Sequence, residues 1–377
     1  MRIIHVLNRL PTTGDGIANA TVDLACTQSL AGHDVSMISS GGEYVELLAR
    51  YNVRHHTVAL LPRSIELKLL RSLPGLRKLI RKLEPEIVHA HTMTAAVVMR
   101  SGRAWAGFGD YGLVTTVHSE WRRSSNLMRL GDRVIVLSNN GKKTFLDRGF
   151  PEHKLQVIPH GIVRSPRRAS ELDLEDAERP AAERIIVTTA GLYVRKGIGE
   201  LIQAFGQITE EFPDATLLIL GWGPDRETFE RQIESIKGGD RIGLLGFVAN
   251  PHTYLRRAAV FVLASYTDAF PLALLEAREA GCAVIGTEVG GVPELLEQGR
   301  AGLLIPPKDA NALAQALRRL LGDSKELAHW RQAARSNLEW LSCQRMAEQT
   351  TKAYVSLLEE RCGLRNASRN RMTGSSF

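Results

Sequence analysis

The sequence predicts an α/β protein made of two Rossmann-like, doubly wound domains facing each other across a cleft. Three observations carry this expectation. Short β-branched apolar runs recur through both halves, separated by stretches with helical periodicity. The runs are continuously apolar and do not alternate, as expected for parallel strands covered on both faces. A chain of 377 residues is also too long for one comfortable core and suits two domains of ordinary size.

In the first half the candidate strands are "RIIHVL", "DVSMIS", "VRHHTV", "EIVHAH", "YGLVTTVH", "DRVIVLS" and "KLQVIP". In the second half they are "RIIVTTAG", "ATLLILG", "RIGLLG", "VFVLAS", "CAVIGT" and "GLLIPP". Between the halves, "RSPRRASELDLEDAERPAAE" is charged, bears prolines and lacks a strand pattern, so it reads as a linker. The resulting plan is a first domain at 1–163, a linker at 164–183 and a second domain at 184–338. A helix at 339–362 and a disordered polar tail at 363–377 complete it.

Apolar content of 44% and charged content of 24% suit a soluble globular protein, and no apolar run is long enough to cross a bilayer. The start "MRIIHVLNRL" reads as a first strand and not as an export signal. Cys26, Cys282, Cys343 and Cys362 are scattered without metal-ligand spacing, which points to a reducing cytoplasm. The net charge of +7 favours anionic partners. Part of it lies at 63–82, where Arg63, Lys68, Arg71, Arg77, Lys78, Arg81 and Lys82 alternate with Leu and Ile at helical spacing. Such a segment suits either an anionic membrane surface or a solvated basic face. No aromatic ladder or zinc spacing accompanies the charge, so nucleic acid is not expected.

Ligands of doubly wound domains bind beyond the carboxyl ends of the strands, so the loops there are the candidates. After the first strand, Gly14 and Gly16 precede a helix, where free amides and close backbone approach suit a ligand. The spacing is not GxGxxG, so the dinucleotide fingerprint is absent. His89 and His91 end one strand and His118 another; His89 reads as a structural residue and His118 as a functional one. Three histidines without a carboxylate at suitable spacing do not make a metal site, and none is expected.

In the second domain, Arg195 and Lys196 fall in a loop after a strand, where adjacent cations suit a diphosphate. Gly221 and Gly223 repeat the glycine theme, and Phe247 and Val248 lie where a flat base could rest. Asp268 falls in a loop, and Pro271 marks a helix start that places Glu276 about a turn and a half inside. Periodicity alone leaves open whether Glu276 is buried or on a mixed face.

The segment "DAFPLALLEAREAGCAVIGTEVGGVPELLEQGRAGLLIPPKD" resembles the signature of glycosyltransferase family four. The likeness extends through "GWGPDRE", "GFV", "RKG", "VIPHGI", "VHAHT" and "GIANATVDLACTQSLAGHDV", from residue 3 to about 360. Each piece is short, but their combined order is specific. The resemblance implies a GT-B fold and a retaining glycosyltransferase of cell-surface polysaccharide or glycolipid synthesis. It further implies a UDP- or GDP-linked sugar donor, a glycan or lipid-linked acceptor, no cofactor, and a C-terminal helix returning to the first domain. Carried over by position, Glu276 would hold the donor ribose and Asp268 the hydroxyls of the transferred sugar. The backbone of Ala269, Phe270, Pro271 and Leu272 would lie near sugar and phosphates. Arg195 and Lys196 would stabilise the departing diphosphate. Phe247 and Val248 would line the base pocket, and Gly223 would belong to the donor site. His118 would reach the sugar, and Gly16 would stand near the phosphates.

Three positions depart from the family pattern. Asp268 replaces the usual Glu, Gly191 stands where an Arg is common, and Asp15-Gly16 replaces a Gly-Gly pair. An acid beside a diphosphate is unfavourable, so Asp15 is expected to turn toward acceptor or solvent. The competing readings are a GT-B epimerase or phosphorylase, the latter lacking an apparent pyridoxal phosphate lysine, and a catalytically silent relative that binds a nucleotide sugar.

Overall fold

The computed structural model describes residues 1–12, 14–58, 67–105, 107–120, 122–168 and 184–373, with side chains described except at 67–73, 105 and 364–373. It divides into two compact units, Met1–Arg168 with Ser342–Phe377, and Ala169–Leu341. The expected linker lies outside the described residues from 169 to 183. Its first residues belong to the first unit, where Arg167 forms an ion pair with the buried Asp23.

The first unit holds a seven-stranded sheet of β1 (Arg2–Val6), β2 (Asp34–Ser39), β3 (Arg54–Thr57), β4 (Ile87–Ala90), β5 (Gly112–Thr116), β6 (Arg133–Val136) and β7 (Leu155–Val157). Its order is β3-β2-β1-β4-β5-β6-β7, and every pairing is parallel. Ile4, Val88, Leu113 and Val134 fill one side of the central strands with Leu76, Ile80 and Met99. Ile3, Ile87, Val114 and Ile135 fill the other with Ala353, Tyr354 and Leu357 of the C-terminal helix. Period-two alternation thus buries both faces, which is why these strands read as unbroken apolar runs.

That helix spans Cys343–Thr373 and so continues past the expected end at 362. "LRNASRNRM" contains no proline or glycine breaker after Gly363, so nothing in the local sequence stops it. Residues 374–377 lie outside the described residues. Of the basic segment at 63–82, residues 63–66 are likewise outside, and the helix Leu67–Leu83 follows. Leu76 and Ile80 are buried in the unit, whereas Arg77, Lys78, Arg81 and Lys82 are exposed. Among the described residues, no helix is long and apolar enough to cross a membrane.

The second unit holds six parallel strands, β8 (Ile185–Thr189), β9 (Thr216–Leu220), β10 (Ile242–Gly246), β11 (Val260–Leu263), β12 (Ala283–Thr287) and β13 (Leu303–Ile305), in the order β10-β9-β8-β11-β12-β13. Its core joins Ile186, Leu217, Val262 and Ile285 of the strands to Leu201, Phe205, Leu313 and Leu317 of covering helices. In both sheets the chain order reverses beside the first strand, between β1 and β4 and between β8 and β11. Connections leave on opposite faces at such a point and open a crevice at the strand ends.

Candidate active site

In the second unit the reversal sets the loops after β8 and β11 side by side, and these carry Arg195 and Lys196 on one and Asp268, Ala269, Phe270 and Pro271 on the other. The β8 loop closes in a short turn, Val194–Lys196, that ends on Gly197 with φ +65°. A Cβ at Gly197 would lie 1.9 Å from the Ala264 carbonyl oxygen, so only glycine lets the two loops meet. The Tyr266 amide donates to the Arg195 carbonyl at 2.8 Å and fastens them. The Lys196 ammonium then forms an ion pair with the Asp268 carboxylate, which is 8% exposed. The Ser265 hydroxyl lies 3.4 Å from the same carboxylate oxygen.

The Asp268 backbone is held from beneath as well. The Gly291 amide donates to its carbonyl oxygen at 3.3 Å, and a Cβ at Gly290 would stand 1.7 Å from that oxygen. The Gly-Gly-Val-Pro-Glu turn therefore serves as the floor of the acid loop. Ala269, Phe270, Pro271 and Leu272 turn their side chains into the unit, which leaves their backbone as the groups a ligand could meet.

Glu276 lies on the helix Leu272–Ala280, which Pro271 immediately precedes. Leu274, Leu275 and Arg278 face the core, whereas Ala273, Glu276 and Glu279 share the half-exposed stripe. Glu276 is thus on the mixed face that periodicity left undecided. Arg278, which no sequence motif singles out, is a fully buried structural cation. It pairs with Glu297 at 2.8 Å and donates to the carbonyls of Leu295 and Ala334. Burial lowers its pKa, and the Glu297 carboxylate opposes that shift.

The position departing from the family Arg has a local explanation. A Cβ at Gly191 would sit 2.9 Å from the Tyr193 ring, and the Arg195 guanidinium lies over that ring at 5.3 Å. Tyr193 thus covers the space beside residue 191 and supports Arg195. Gly223 is a contact glycine, since its Cβ would lie 2.3 Å from the Leu192 carbonyl oxygen. Phe247, 46% exposed, and the half-buried Val248 follow β10 on the same end of the sheet.

In the first unit, Gly16 opens the helix Gly16–Leu30. Asp15, expected to turn toward acceptor or solvent, turns back onto its own helix start. Its carboxylate accepts from the amides of Ile17 at 2.9 Å and Ala18 at 3.2 Å, because an uncapped helix start leaves these donors unsatisfied. Two of the groups that a phosphate would use there are already taken.

His118, half-buried beyond β5, belongs to a group of five histidines. Its Nε2 is 3.4 Å from His91 Nδ1 and its Nδ1 is 3.2 Å from His160 Nε2. His5 and His89 stand opposite one another in the register of β1 and β4. His89 is fully buried between the Tyr354 hydroxyl at 2.6 Å and the Thr116 hydroxyl at 2.7 Å, a satisfied structural residue. Burial holds His118 down at about 3 and His5 at about 4, the latter against a hydrogen bond to Gln28. The nitrogens of His5, His89 and His91 lie within 4.8 Å of one another, yet every ring nitrogen of the three already has a hydrogen-bonding partner. His5 sits within "RIIHVL" as His89 sits within "EIVHAH", but apolar runs do not show which strands pair, so the sequence singles out neither His5 nor His160.

Comparison with known proteins agrees with this architecture. The family model for Glycosyltransferase Family 4 matches residues 14–165, and that for Glycosyl transferases group 1 matches residues 170–337. The gpi3 subunit of phosphatidylinositol N-acetylglucosaminyltransferase from Schizosaccharomyces pombe is 27% identical over 279 residues, 73% of this chain and 58% of the relative. N-acetyl-alpha-D-glucosaminyl L-malate synthase of Bacillus anthracis is 29% identical over 180 residues, 48% of this chain and 47% of the relative. The matched region thus spans about half the length of these two relatives. Among solved structures, Anabaena HepE in complex with UDP and glucose aligns with a TM-score of 0.76 at 21% identity, over 94% of this chain and 100% of that one. With both halves matched in order and both sheets wound as the fold requires, the chain belongs to glycosyltransferase family 4 and has the GT-B fold.

Proposed function

We propose that this protein is a retaining glycosyltransferase that moves a sugar from a UDP- or GDP-linked donor to a glycan or lipid-linked acceptor. The observation that supports it most is the Lys196–Asp268 pair at the strand reversal of the second sheet, flanked by Arg195 and by the helix of Glu276. A cation and an acid that neutralise each other here can be redeployed, one to a diphosphate and the other to sugar hydroxyls. Glu276 takes the ribose, Phe247 and Val248 the base, and the backbone of 269–272 the sugar and phosphates. Gly16 stands near the phosphates and His118 attends the transferred sugar. The diphosphate charge that grows in the transition state is met by Arg195 and Lys196, so no metal is required.

The UDP and glucose named with HepE make UDP the first nucleotide to try, and the names of the two curated relatives make N-acetylglucosamine the first sugar. We assign the reaction to cell-surface polysaccharide or glycolipid synthesis at the cytoplasmic face of a membrane. The exposed cations Arg77, Lys78, Arg81 and Lys82 support contact with anionic lipid.

A thermal-shift screen with UDP, GDP, ADP and their sugars tests the donor, because a ligand bound to the folded state raises the melting point. One nucleotide sugar should stabilise the protein and be consumed in chelator with retention at the anomeric carbon. No shift with any of them would refute the reading. Flotation with anionic vesicles should weaken when the four cations are reversed; equal flotation would remove the membrane assignment.

A further inference from the structure

We propose that Gln28, His5, His91 and His160 form a one-directional hydrogen-bonded chain that presents His118 to the donor sugar as a neutral N–H donor and not as a general base. The assignment of His118 to the sugar rests on the function proposed above; the direction of the chain does not.

The links run through the buried side of the first sheet. Gln28 Oε1 is 2.8 Å from His5 Nε2, and His5 Nδ1 is 3.0 Å from His91 Nε2. His91 Nδ1 is 3.4 Å from His118 Nε2, and His118 Nδ1 is 3.2 Å from His160 Nε2. Gln28, His5 and His91 are 0%, 0% and 3% exposed, so water cannot stand in for these partners.

A carbonyl oxygen only accepts, and a neutral imidazole carries one proton. With the Gln28 amide oxygen toward His5, and its Nε2 buried without a hydrogen bond of its own, His5 donates from Nε2 to Gln28 and its Nδ1 is left as an acceptor for His91 Nε2–H. The same rule passes along the chain. His91 Nδ1 accepts from His118 Nε2–H, and His118 Nδ1 accepts from His160 Nε2–H. Burial keeps all four rings neutral near pH 7, since it pushes each below its ordinary range. His89 imposes no direction, because its partners are the Tyr354 and Thr116 hydroxyls, which can donate or accept.

The longest link is that of His118 Nε2. It is the bond a ligand oxygen would replace, and what it offers is a proton. Reversing the Gln28 amide would reverse every link and leave a lone pair at His118 Nε2, so one amide decides between donor and base. Gln28, His5, His91 and His160 act through His118 and are positioning residues.

The test is imidazole nitrogen NMR on the full chain with 15N-labelled histidine at neutral pH, with His118→Asn identifying the signal. His118 should show a protonated, pyrrole-type Nε2 and an unprotonated, pyridine-type Nδ1. A pyrrole-type Nδ1, or an imidazolium, would overturn the proposal. In Gln28→Met the His118 signals should move toward a mixture of tautomers. kcat should fall about tenfold there, the worth of one misdirected hydrogen bond, with KM within about twofold. An unchanged tautomer in a folded Gln28→Met protein would also overturn it. If the transferase reading fails instead, turnover is absent while the wild-type spectrum keeps the stated pattern.

Discussion

Lys196 and Asp268 satisfy each other in the described state, and this frames the chemistry residue by residue. A diphosphate arriving at Lys196 competes with the Asp268 carboxylate for one ammonium. Asp268→Asn should therefore tighten binding of the bare nucleotide by a few-fold while lowering transfer, whereas Lys196→Ala should weaken both. Calorimetry with UDP or GDP beside a turnover assay separates the two, and equal affinities in both variants would refute the competition. Glu276 sits on the half-exposed stripe of its helix, so Glu276→Ala should leave the melting point nearly unchanged. Transfer should fall by roughly 10- to 100-fold, the range of one or two charge-assisted hydrogen bonds. A variant that loses solubility together with activity would mark Glu276 as structural.

Among the elements, the loops after β8, β11 and β12 form one assembly because glycines at 197 and 290 permit backbone contact and nothing larger does. In the first unit the corresponding element is the helix Gly16–Leu30, whose start is capped by Asp15. Asp15→Ala should cost about 1 kcal/mol of stability, the usual worth of an N-cap. Asp15→Asn should recover most of it, and denaturant midpoints report both. A loss absent from Asp15→Ala would mean that the cap contributes nothing. The same cap explains why an acid is tolerated at a helix start that the sequence suggested as a phosphate site.

For the whole molecule, the histidine group makes acid the weak condition. Each buried ring is neutral in the folded state, with His5 at about 4 and His118 at about 3 against an ordinary 6.5. The unfolded chain therefore binds more protons below 6.5, so stability is complete above that value and is lost as pH falls from 6.5 toward 4. The loss should reach about 1.4 kcal/mol per pH unit for each histidine that must be protonated. Carboxylates such as Asp132, whose burial is outweighed by Arg103, the Leu113 amide and Arg361 so that its pKa is lowered, act in a more acidic window. Denaturant midpoints measured from pH 8 to pH 4 check this, and a flat profile above pH 5 would contradict it.

Most of the architecture was legible in advance because it depends on local periodicity. All thirteen expected strand segments contain one of β1 to β13; two-sided burial writes the inner strands as short apolar runs, whereas the edge strands β3 and β10 are not buried. The C-terminal helix was legible in kind but not in length, because nothing in "LRNASRNRM" announces a stop. Asp15 departs from the expectation because the helix start needs an acceptor, a demand that charge repulsion with a diphosphate does not reveal. The sequence by itself determined the alternation of strands and helices, the family, and which loops hold cations, acids and glycines. Tertiary structure alone decided which of these meet, from the Lys196–Asp268 pair, 72 positions apart, to the link between Gln28 and His5. Periodicity acts between residues within a few positions of one another, whereas pairing depends on which strand ends the sheet order makes neighbours.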